Sequence, residues 1–62
     1  MNRLRHIRLS KRMTVSELSR VSNVSRQTIH RLEIEENDSA NSKTLKQLAE
    51  ALGVKVSDFF VE

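Results

Sequence analysis

MTVSELSRVSNVSRQTIHRLE, residues 13–33, decides the fold. Thr14 and Glu17 have the S/T-x-x-E spacing of a capping box, so a helix starts at Thr14. Leu18 anchors it in a core. It stops near Ser22, because Asn23 tolerates the left-handed backbone that a tight exit needs. Ser25 then caps a second helix from Arg26 to about Glu33, with Ile29 and Leu32 as its inward pair. The connection from Ser22 to Ser25 is short enough to force a sharp crossing, the geometry of a helix-turn-helix spanning about residues 14–33.

Working outward, a first helix is predicted over about residues 2–11, with Leu4 and Ile7 on its buried face and Arg8 one turn below Leu4. After a polar loop, EENDSAN (35–41), either Asn41 or Ser42 caps a fourth helix. Leu45, Leu48, Ala49 and Leu52 form its i, i+3, i+4, i+7 stripe, and Gly53 ends it. A short final helix is predicted around residues 57–60, with Ser57 available as an alternative cap to Lys55, and with Phe59 and Phe60 closing the base of the core. There is no proline, one glycine and no long alternating β-branched run, so the chain reads as all-α, a single domain over residues 1–62.

Composition narrows the function classes. With no cysteine, disulfides, thiolate metal sites and cysteine nucleophiles are excluded, and a reduced cytosol is the default compartment. No apolar run approaches the ~20 residues that span a membrane. The basic segment 1–14 is followed by no apolar stretch, so it is not read as a secretory signal. His6 and His30, the only histidines, lie on different helices and lack third and fourth ligands, so no metal or other cofactor is expected. No Ser/His/Asp grouping, glycine-rich phosphate loop or carboxylate pair points to an enzyme. Charge is strongly divided. Residues 1–31 carry Arg3, Arg5, Arg8, Lys11, Arg12, Arg20, Arg26 and Arg31 against Glu17 alone. Residues 32–62 carry Lys43, Lys46 and Lys55 against seven carboxylates. The basic half suits a polyanion, although a solvated surface with a crude dipole has the same composition.

The 13–33 stretch, together with TLKQLAEALGVKVSDFF (44–60), resembles the phage-repressor and Cro type of helix-turn-helix, the XRE family. The resemblance covers Leu4 to Phe60. It rests on V-S before the second motif helix, I-x-x-L-E within it, and L-x-x-L-A-x-x-L-G-V further on. It implies a compact five-helix bundle of the lambda-repressor-like type. It also implies sequence-specific binding of double-stranded DNA by a transcriptional regulator, most often a repressor. The chain departs from the family pattern at Val15, where many members have a glutamine that contacts phosphate and braces the recognition helix. Asn23 and Glu35 replace glycines.

With Ile29 and Leu32 inward, the other face of the 26–33 helix carries Arg26, Gln27, His30 and Arg31. Arginine pairs bidentately with guanine, and glutamine with adenine. A recognition helix presents its N-terminal residues and one residue a turn later, which selects Arg26, Gln27 and Arg31 as base readers, with Thr28 near a thymine methyl or a phosphate. The same residues on a merely solvated face would have no such role. Backbone phosphates are expected to meet Arg12, Thr14, Ser25, His30, Asn41 and Lys43. The resemblance also implies a structural ion pair between Arg8 and Glu33. The expected partner is an operator with inverted half-sites, occupied by a weak homodimer completed on DNA through Val56, Phe59, Phe60 and Val61, in the cytoplasm or nucleoid of a prokaryote or phage-infected cell. An antitoxin, which also binds a toxin partner, and a protein-interaction module that has lost DNA binding are the alternatives. The polar readers argue against the latter, since interaction surfaces favour apolar anchors.

Overall fold

In the computed structural model the described residues are 2–34 and 41–60. They form four α-helices, α1 (Asn2–Ser10), α2 (Val15–Ser22), α3 (Arg26–Ile34) and α4 (Ser42–Leu52), and a closing 3-10 helix, Val56–Phe60. Ten side chains make the core: Leu4, Ile7, Leu18, Val24, Ile29, Leu32, Leu48, Ala49, Leu52 and Phe59. Each α-helix contributes one apolar stripe to it, and Leu45 packs against it half-buried. α2 lies against both α3 and α4, while α1 spans α3 and the 3-10 helix.

Left-handed residues end three of the α-helices. Asn23 (φ 61°) ends α2, and its N–H donates to the Ser19 carbonyl at 2.9 Å. Gly53 (φ 70°) ends α4, where Gly53 N–H donates to Glu50 O and Val54 N–H to Ala49 O, the paired bonds of a Schellman motif. α1 ends in the same way, but its left-handed residue is Arg12 (φ 57°), with Met13 N–H on Arg8 O and Arg12 N–H on Leu9 O. A side chain in this backbone region costs roughly 1–2 kcal/mol relative to glycine.

Several expectations are corrected. The fifth element is a 3-10 helix, not a fifth α-helix, and it begins at Val56. With three residues per turn, Val56 and Phe59 share a side, which rotates Phe60 by a third of a turn. Phe59 is therefore buried, while Phe60 is 60% exposed and does not close the core. Ser57 falls inside the helix and does not cap it. The Asp58 carboxylate does so, accepting the Lys55 N–H at 3.0 Å. α1 stops at Ser10 and α3 continues one residue further, to Ile34. At α4, Asn41 is the cap, its Oδ1 accepting the Thr44 N–H at 2.8 Å. The expected 35–41 loop lies, apart from Asn41, outside the described residues, as does Val61.

Candidate nucleic-acid interface

The interface is built from the two motif helices and their turn. At the start of α2, Thr14 Oγ1 accepts the Glu17 N–H and Glu17 Oε1 accepts the Thr14 N–H, both at 3.0 Å. That backbone bond, then the Thr14 hydroxyl, with a lesser pull from Arg20, holds the Glu17 carboxyl below its ordinary value of 4.5. At the turn, Ser22 is buried, and its hydroxyl accepts the Val24 N–H at 3.2 Å. Val24, 6% exposed, plugs the core between the helices. Ser25 then starts α3: its Oγ accepts the Thr28 N–H at 3.2 Å and its hydroxyl donates to Thr28 Oγ1 at 2.8 Å.

α3 is held from three sides. Ile29 and Leu32 are buried beneath it. Near its C-terminus Glu33 meets Arg8 of α1 in a two-pronged pair, Arg8 Nε to Oε2 at 2.7 Å and Arg8 Nη2 to Oε1 at 3.1 Å. The third Arg8 nitrogen donates to the Met13 carbonyl at 2.7 Å, so one guanidinium ties α1, the α1–α2 turn and α3 together. At the opposite end, Arg26 Nη1 donates to Ser16 Oγ of α2 at 3.4 Å. α3 therefore cannot roll without breaking packing, an ion pair and a hydrogen bond to α2.

The outward side of α3 carries Arg26, Gln27, His30, Arg31 and Ile34, all exposed. Thr28 does not join them. It is half-buried and engaged with Ser25 in the cap. Arg12, Thr14, Ser25, Asn41 and Lys43 are exposed at helix termini: Arg12 after α1, Thr14 before α2, Ser25 before α3, and Asn41 with Lys43 at the start of α4. Sequence reasoning missed Ser16, Val24 and Arg5. Val24 carried a legible signal, an apolar residue set in a polar turn. Arg5 lines a groove between α1, α2 and α3 together with Arg8, Val15, His30, Glu33 and Ile34. Among the described residues no group of three or more His, Asp or Glu side chains is placed to hold a metal ion, and no helix is long and apolar enough to cross a membrane.

Two capped helices crossing through a left-handed turn, the second locked inward and polar outward, define a helix-turn-helix DNA-binding domain. The chain belongs to the Cro/C1-type HTH DNA-binding domain family, whose family model matches residues 3–61. No curated protein and no solved structure matches it.

Proposed function

We propose that this protein is a transcriptional repressor that reads a specific operator by inserting α3 into the major groove. The observation that carries this reading is the division of α3. Its inner side is fixed by Ile29, Leu32 and the Arg8–Glu33 pair. Its outer side offers Arg26, Gln27 and Arg31, whose groups suit guanine and adenine edges. Ser16 steadies Arg26, a service the family often draws from a glutamine at the Val15 position. Arg12, Thr14, Ser25, His30, Asn41 and Lys43 contact backbone phosphates, and Thr28 supports the cap from which α3 starts. The domain acts on DNA in the cytoplasm, as a dimer on inverted half-sites.

Selection of bound duplexes from a random pool tests this directly. A consensus with inverted half-sites is the expected result. On that site Arg26→Ala, Gln27→Ala and Arg31→Ala each weaken binding by about 1–3 kcal/mol and relax preference at one position. Lys43→Ala instead weakens selected and unrelated duplexes alike. Three α3 variants that bind the selected site as tightly as the parent would remove α3 as the reader.

A further inference from the structure

The groove over the Arg8–Glu33 pair is lined by none of the base readers proposed above. It has a volume of about 340 Å³ and is lined by Arg5 and Arg8 of α1, Val15 of α2, and His30, Glu33 and Ile34 of α3. We propose that it seats one DNA backbone phosphate, with Arg5 and His30 as the donors. The inference rests on the DNA-binding reading above and adds a contact to it.

Charge and donor geometry support it. Among the described lining residues Glu33 is the one carboxylate, and both its oxygens accept from Arg8, so its charge is matched inside the groove wall. Each nitrogen of Arg8 already has an acceptor within the protein, the remaining one holding the Met13 carbonyl. The lining thus keeps one exposed guanidinium, Arg5, with one exposed imidazole, His30, on the facing helix. Val15 opens α2, and the first N–H groups of a helix have no intrahelical acceptor. The capping box uses those of Thr14 and Glu17, and the start of α2 adds a positive helix end to the same groove.

Position supports it as well. Arg26, His30 and Ile34 fall at i, i+4 and i+8 on α3, one exposed line along the helix. The line begins at the Arg26 that Ser16 holds and runs into the groove, so the groove borders the reading side. A helix lying in the major groove has a sugar–phosphate strand along each edge. A groove with one wall from α3 and the other from α1 meets one of those strands. A phosphodiester carries a single negative charge, which the Arg5 guanidinium matches, with His30 as a second donor.

The test measures affinity for an unrelated duplex and for the selected duplex across a series of salt concentrations. Arg5→Ala should lower the slope of log K against log salt by about 0.9, one phosphate's share. That corresponds to roughly a fivefold loss at 0.15 M salt, equal on both duplexes. His30→Ala should give a smaller, likewise sequence-independent loss. Both residues are exposed, so the melting temperature should stay unchanged. Lys55→Ala, a cation outside the groove, serves as the control for net charge. A walk of neutral methylphosphonates along the selected duplex should find a phosphate whose neutralisation weakens the parent but not Arg5→Ala. A parent with steep salt dependence and an Arg5→Ala slope equal to the parent's or to that of Lys55→Ala would overturn the seat alone. A parent whose affinity is flat in salt would overturn both the seat and the DNA-binding reading. Tight binding of inorganic phosphate, abolished by Arg5→Ala while the DNA slope stays fixed, would assign the groove to a free anion and overturn the DNA contact.

Discussion

With its side chain 9% exposed, Arg8 cannot rely on water for its charge, and neither can Glu33 at 5%. Bringing two ions out of water offsets most of their attraction, so the pair adds little net stability. Removing one partner is another matter, because it strands the other at a cost of about 3–5 kcal/mol. A domain of this size has a total stability of about the same magnitude. Arg8→Ala is therefore expected to melt far below the parent or to be unfolded at 25 °C. Replacing both residues, as in Arg8→Met with Glu33→Met, should recover most of the loss, since no charge is then left buried. Thermal melts of the three proteins by circular dichroism check this, and a double variant no more stable than Arg8→Ala would contradict the stranded-charge account. Arg12 is the converse case. Its strained φ of 57° brings no packing with it, since the side chain is exposed. A phosphate contact from its guanidinium would give a reason for an arginine where a glycine would be easier.

The individual helices are too short to persist alone, at nine, eight, nine and eleven residues. Caps and burial hold them, and the capping box of α2 titrates. The folded Glu17 carboxyl lies below 4.5, so its contribution is present above that value and is lost as pH falls through the lower folded value. In melts between pH 7 and pH 2, Glu17→Gln should lie slightly below the parent at neutral pH and converge with it at the acid end, because glutamine accepts the Thr14 N–H as the protonated carboxyl does but carries no charge. A difference between the two proteins that stays constant across this range would show that the Glu17 charge is uncoupled from folding. The elements differ in how plainly the sequence announced them. Thr14, Asn23 and Gly53 each act by a local preference, so the cap of α2 and the exits of α2 and α4 could be read directly, while the α4 cap was narrowed to Asn41 or Ser42, both good capping residues. Arg12 could not, because nothing in an arginine signals a left-handed turn. Phe60 was misplaced because two adjacent aromatics were both assigned to the core, whereas successive residues of a helix point to different sides and only Phe59 points inward. The outward side of α3 followed from the inward pair Ile29 and Leu32. The Arg8–Glu33 contact came only by resemblance, and the Ser16–Arg26 bond and the position of Arg5 depend on how α1, α2 and α3 cross.

The described molecule measures 23 × 20 × 19 Å. Successive major grooves on one side of the duplex are about 34 Å apart, so one protomer reaches only one of them. Two copies are needed to read two half-sites, and the basic half of each must face DNA. Among the described residues away from α3, Phe60, 60% exposed, and half-buried Val56 offer apolar surface to a twin on the other half. In the proposed dimer, so small a patch would hold the free protomers together weakly, and DNA would complete the pair by raising the effective concentration. Sedimentation should show a monomer for the free protein at low micromolar concentration and two protomers on the selected duplex. Phe60→Ser should weaken occupancy of the paired site far more than of a half-site. One protomer bound tightly to a non-palindromic site would refute the dimer while leaving the helix-turn-helix in place. The left-handed exits at Arg12, Asn23 and Gly53 have a consequence of another kind. Each reverses the chain through bonds between residues three to five apart, so much of the topology is set by near neighbours. Chains built this way fold in microseconds to milliseconds. A protomer that unfolds while off DNA is thus ready again before its next encounter, and bound DNA draws the equilibrium toward the folded form. Speed of recovery, rather than depth of the native well, is what would keep so small a DNA-binding domain in service.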